Sequence, residues 1–108
     1  MGFEYDCRPA SGFVDDALKA RLLAAINVAG AVASDREANV FWVPTEDGGW
    51  PVTVGLHDSY VIVAFPVRVH ARLPMVAALL AVLHDAGLTL HEQGDGERVS
   101  WSELLGAR

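Results

Sequence analysis

The stretch Trp50-Pro51-Val52-Thr53-Val54-Gly55-Leu56-His57-Asp58-Ser59-Tyr60-Val61-Ile62-Val63-Ala64-Phe65 decides the fold class. It is rich in β-branched and aromatic residues, and only His57-Asp58-Ser59 interrupts it with polar turn formers. Two strands joined by a tight reversal follow, Trp50 to Leu56 and Ser59 to Phe65. Pro51 is tolerable near a strand start, and Pro66 marks a bulge or an edge where the second strand continues toward Val69. A third strand, Asn39 to Val43, precedes them across the turn-rich loop Thr45-Glu46-Asp47-Gly48-Gly49.

Helical spacing flanks this block. Val14, Leu18, Leu22, Ala25, Ala29 and Val32 recur at three- and four-residue steps and predict a helix over Phe13 to Ala33. Ser11 serves as its N-cap, with Asp15 and Asp16 in the first turn. Gly30 weakens the last turn. A second helix opens at Pro74 and closes at Gly87, with Met75, Val76, Leu79, Leu80, Val82 and Leu83 on its apolar arc. A hairpin follows: Leu88 to Glu92, the turn Gly94-Asp95-Gly96, then Arg98 to Trp101. Ser102 caps a short final turn carrying Leu104 and Leu105. Residues 1–10 read as an extended lead-in. The expectation is one α+β domain over 1–108, of order α-β-β-β-α-β-β-α, with a mainly antiparallel sheet packed against two long helices.

Composition supports one ordinary core: 108 residues, 52% hydrophobic. The formal net charge of −6 opposes a nucleic-acid partner, whose phosphates need a positive footprint. Met1 to Cys7 lacks the pattern of a signal peptide, and the longest apolar run, Met75 to Leu83, is too short to span a bilayer. A cytoplasmic location is expected, with no membrane partner. Cys7 is the single cysteine, so an internal disulfide is excluded.

Side-chain chemistry offers few constellations. His57, His70, His84 and His91 form no pair at metal-ligand spacing, so no metal or cofactor is expected. His57-Asp58 reads as a hairpin turn and His84-Asp85 as a polar helix end. No Gly-x-Ser-x-Gly elbow is present, and Gly94-Asp95-Gly96 leads into a strand rather than a helix. No catalytic residue is assigned, and the chain is not expected to be an enzyme. One polar stripe stands out: Arg68, His70 and Arg72 alternate with Val69 and Ala71, which on an extended backbone sets all three on one side. It is a candidate grip for an anion or an acidic peptide; the plainer reading is a solvated strand edge.

The faces of the sheet carry the functional expectation. Phe41 and Val43 oppose Val40 and Trp42, while Val61, Val63 and Phe65 oppose Tyr60, Ile62 and Ala64. Both sides are apolar. If the two helices share one side, the other offers apolar surface to a partner; if one helix covers each side, none is left. Trp50 and Trp42 are candidate anchors in such a contact. Ala77, Ala81 and Leu80 on the second helix are candidate dimer contacts.

The element order from Val14 to Leu105, with the helix-turn-hairpin stretch from Leu79-Leu80-Ala81-Val82-Leu83 to Asp95-Gly96, resembles the type III secretion chaperone-like fold and the related YbjN-type proteins. The resemblance implies a homodimer without catalytic residues that binds an extended partner segment on its sheet or helix surface. The leading expectation is therefore a non-enzymatic, homodimeric, chaperone- or adaptor-like domain that binds a protein or peptide. Two rivals remain: an immunity protein or antitoxin-type inhibitor of a basic partner, and a binder of, or enzyme for, a small anionic ligand using Arg68, His70 and Arg72 near Tyr60.

Overall fold

The computed structural model describes residues 3–44, 51–65, 76–92 and 96–102, the side chain of Phe3 excepted. The chain runs β1 (Phe3–Arg8), α1 (Asp16–Val28), β2 (Val32–Ala33), β3 (Val40–Val43), β4 (Val52–Leu56), β5 (Val61–Phe65), α2 (Ala77–Asp85), β6 (Thr89–Glu92) and β7 (Arg98–Val99). The strands form one antiparallel sheet of order β2-β3-β4-β5-β1-β6-β7. This is the expected α+β domain, with a sheet packed against two helices. The order gains two strands.

The first gain is β1. The lead-in is extended, as read, but it is also inserted between β5 and β6, pairing Tyr5 with Val63 and Glu92, and Cys7 with Val61 and Leu90. Its residues alternate: Tyr5 and Cys7 are buried, whereas Glu4 and Arg8 are exposed. That period of two is what a strand with one covered face shows.

The second gain follows from where α1 stops. Helix α1 begins at Asp16 rather than Phe13, because Gly12 takes a left-handed φ of 88° and Asp15, not Ser11, caps the helix by accepting from the Leu18 amide at 2.7 Å. Such a cap contributes about 1 kcal/mol. At the other end Gly30, at φ 79°, donates to Asn27 and Ala31 donates to Ile26, closing the last turn as a Schellman motif. Gly30 thus terminates the helix, and Val32–Ala33 turn back as β2 beside β3. Gly87 ends α2 in the same way: its amide donates to His84, that of Leu88 donates to Leu83, and the side chains of Leu83 and Leu88 are both buried. The opening at Pro74, the strand beyond Phe65, the loop 45–49, most of the turn Gly94-Asp95-Gly96 and the final turn at Leu104 and Leu105 lie outside the described residues.

The β4–β5 hairpin turns through 57–60, with the His57 amide donating to the Tyr60 carbonyl at 3.0 Å. Val52, Val54 and Leu56 then share a face with Val61, Val63 and Phe65, and all six are buried. They join Tyr5, Cys7, Val43 and Leu90 from the sheet, and Leu22, Ile26, Leu79, Leu80 and Leu83 from both helices, in one core. The helices pack against each other over this face. Sharing one side of the sheet, rather than taking one side each, is the arrangement that leaves a second face.

Burial fixes the chemistry of Cys7. Desolvation, with the Asp6 charge adding to it, pushes its thiol up from the ordinary 9.0 to about 12. The unfolded thiol ionises above pH 9 while the folded one holds its proton to about 12, so the stability this residue provides is intact below 9 and is lost as pH rises through that window. A thiol reagent at pH 8 should label Cys7 no faster than the chain unfolds, and the urea midpoint should fall from pH 8 to pH 10. Labelling within the mixing time in native buffer would contradict this burial.

Candidate interaction face of the sheet

The second face is organised by the sheet register into rows that cross the strands. The first row is Val32, Trp42, Thr53, Ala64 and Glu4. The middle row is Val40, Gly55, Ile62, Asp6, His91 and Arg98. Continuing two residues from Gly55, Ile62 and Asp6 gives a third row, His57, Tyr60 and Arg8, with Thr89 beside Arg8. The helix residues of the core pack on the opposite face, and within these rows Val40 and Gly55 are themselves buried.

Gly55 explains how His57 joins the face. A Cβ at Gly55 would meet His57 Nε2 at 3.0 Å, so the ring lies where that side chain would stand. Tyr60 stacks on the ring with centroids 4.7 Å apart. The turn beneath them is tied to α1: the Val14 amide donates to the Asp58 carbonyl at 2.6 Å, and Lys19 Nζ reaches the Asp58 carboxylate at 2.7 Å. The hydrogen bond from Lys19 holds the Asp58 carboxyl below its ordinary range and raises the Lys19 ammonium above its own. The third row is therefore anchored from outside the sheet.

The face has an apolar half and a charged half. Val32 and Trp42 are 56% and 39% exposed, and Ile62 and Ala64 are half-buried beside them. Across β5 the character changes. Glu4 and Arg8 are exposed, with Arg8 Nη2 3.5 Å from an Asp6 oxygen. Thr89 Oγ1 lies 3.0 Å from His91 Nε2. Among the described residues of these rows two acids, Glu4 and Asp6, balance two arginines, Arg8 and Arg98, so their formal charges cancel.

Of the residues singled out in the sequence, Trp42 lies on this face. Trp50, Arg68, His70 and Arg72 lie outside the described residues. Ala77 and Ala81 are exposed on α2, away from the core. Leu80 requires correction: at 2% exposure it belongs to the core between α2 and the sheet, so it is not available to a partner. Leu80 lies on the apolar arc that the spacing predicts and is buried there with Leu79 and Leu83. Glu4, Asp6 and Arg8 were missed, although the alternation Tyr5, Cys7 against Glu4, Asp6, Arg8 was there to be read as a strand.

A concavity of about 530 Å³ opens between the C-terminal end of α2 and β6–β7, with His84, Leu88, Val99 and Trp101 in its walls. The Trp101 indole donates to the Leu88 carbonyl at 2.7 Å, and His84 meets it edge-on. Trp101 thus locks the last described turn to the helix end. Among the described residues no three His, Cys, Asp or Glu side chains gather to hold a metal ion, and no helix is long and apolar enough to cross a membrane. Comparison of the chain with protein-family models, curated proteins and solved structures found no match.

Proposed function

We propose that the chain is a non-enzymatic protein-binding domain of the chaperone or adaptor kind, and that its contact surface is the sheet face opposite the helices. The observation that carries this reading is the placement of both helices on one side, which leaves Val32, Trp42, Ile62 and Ala64 on the face away from them. Apolar side chains gathered on one face of a sheet gain free energy when a partner removes them from water, at about 25 cal/mol per Å² before association costs. The sheet edges are poorer candidates. The outer strands β2 and β7 have two residues each, a length that offers a partner strand little to pair with.

Capture of partners from native lysate tests it, with the wild type, Ile62→Arg and Ala77→Glu as parallel baits and circular dichroism confirming that each is folded. A partner recovered by the wild type and by Ala77→Glu, but reduced about tenfold or more with Ile62→Arg, supports the face. Recovery undiminished by Ile62→Arg, or lost with Ala77→Glu, moves the contact off the sheet and refutes the proposal.

A further inference from the structure

We infer that the concavity between the C-terminal end of α2 and the β6–β7 hairpin binds a small aromatic acid, a flat apolar body carrying one carboxylate. Its volume of about 530 Å³ lies within the roughly 300–1,000 Å³ of ordinary small-ligand sites. The site is separate from the apolar half of the open sheet face, and the reading of that face as a protein contact does not depend on it.

The chain builds this hollow where two elements stop short of each other. The ladder between β6 and β7 ends with Leu90 opposite Val99. Two residues further on, Trp101 meets Leu88 through its side chain instead, the indole donating to the Leu88 carbonyl at 2.7 Å. On the other side α2 ends at Gly87, which lines the concavity, and a Cβ there would meet nothing within 4 Å. Leu88 and Leu90 are buried beneath the hollow, with Val99 and Trp101 half-buried beside them. The Trp101 ring is held by its own hydrogen bond and by the edge-on His84 ring, with centroids 5.5 Å apart. A flat ring stacking on it gains contact area without the cost of ordering that side chain.

Arg98 selects the sign of the ligand. It belongs to the middle row of the open face, but β7 is the edge strand, and Arg98 borders the concavity as well. With histidine counted neutral, it is the one formal charge among the described residues that line the hollow, and no carboxylate is among them, in a chain whose net charge is −6. Two aromatic rings beside a helix C-terminus would otherwise suit an organic cation. Here the Val82, His84 and Leu83 carbonyls at that terminus already accept from the Ala86, Gly87 and Leu88 amides. A guanidinium repels a cation and takes a carboxylate through two parallel N–H donors.

Titration of the isotope-labelled full chain, followed by two-dimensional NMR, tests this with naphthoate, neutral naphthamide, cationic naphthylmethylammonium and acetate. Naphthoate should shift the Gly87 amide and the Trp101 indole N–H saturably, and bind about tenfold or more tighter than naphthamide, which lacks the charge. Acetate, which lacks the apolar body, should move neither signal. Arg98 is exposed, so Arg98→Gln should fold as the wild type does, which the spectrum of the free variant checks, and it should bring naphthoate down to the affinity of naphthamide. Arg21→Gln removes the same charge from α1 and should change naphthoate binding by less than about twofold, because a remote exposed charge is screened. Equal binding of naphthoate and naphthamide, preference for the cation, or an equal loss with Arg21→Gln would overturn the inference. So would shifts gathered around Trp42 instead of Gly87 and Trp101, or no saturable shift up to about 10 mM. Ile62→Arg should leave naphthoate binding intact, so that failure of the partner capture and failure of this site are read separately.

Discussion

A chain lacking residues 1–8 is expected to lose its cooperative unfolding transition. β1 is the fifth strand of seven and is the only described connection, within the sheet, between β5 and the β6–β7 hairpin. Its removal opens two ladders at once and takes Tyr5 and Cys7 out of the core. Each lost buried side chain costs on the order of 2–5 kcal/mol through transfer and cavity terms. Exposed strand edges on β5 and β6 add unpaired backbone groups. Against a total stability of about 5–15 kcal/mol for an ordinary domain, these losses leave little or nothing. Urea titration followed by tryptophan fluorescence should show a broad, non-sigmoidal change, and a synthetic peptide of residues 1–10 added in excess should restore a transition. A truncated chain that unfolds cooperatively within about 1 kcal/mol of the full chain would show that β1 is peripheral.

Phe65→Ala should be the costliest single truncation in the core. Phe65 is among the largest fully buried side chains and meets the Tyr5 ring edge-on, with centroids 6.3 Å apart and planes at 72°. Removing it forfeits about 3–5 kcal/mol, including an aromatic pairing contribution of about 0.5–1.5 kcal/mol. At roughly 4–8 °C per kcal/mol for a domain near this size, the melting temperature should fall by about 12 °C or more. Calorimetry of the variant beside Ile62→Ala separates the two faces, because Ile62 is only half-buried on the open side and should cost less. Equal losses at the two positions would mean that the open face is as well packed as the core.

These two predictions concern neighbouring strands, yet they differ in how far the sequence announced them. Phe65 could be read directly: Val61, Val63 and Phe65 alternate, the turn at His57-Asp58 sets the hairpin, and register within a hairpin follows from the length of its turn. Gly87 at the end of α2 was equally legible, because a left-handed helix cap is a local demand that glycine meets. Gly30 carried the same signal at the end of α1. The helical spacing that ran on to Val32 concealed it, since β2 repeats one apolar position in phase with the helix. Among the residues of the candidate face, Trp42 could be picked out by residue type. Glu4 and Arg8 could not, because their meaning depends on β1 being an inner strand, and nothing local to residues 1–10 says which strands will flank it.

Residue patterning alone settles what depends on near neighbours: α+β content, a central antiparallel hairpin, helix ends at glycine and an acidic chain with enough apolar residues for one core. Tertiary structure decides the strand order, the insertion of β1 between β5 and β6, and the choice of one side of the sheet for both helices. The physical reason is that the two sides of β3, β4 and β5 are similarly apolar, so local preference does not choose between them. The choice comes when Tyr5, Cys7 and Leu90 extend one side into a surface wide enough to bury the helices together, while Glu4, Asp6 and Arg8 leave the other charged and uncovered by them.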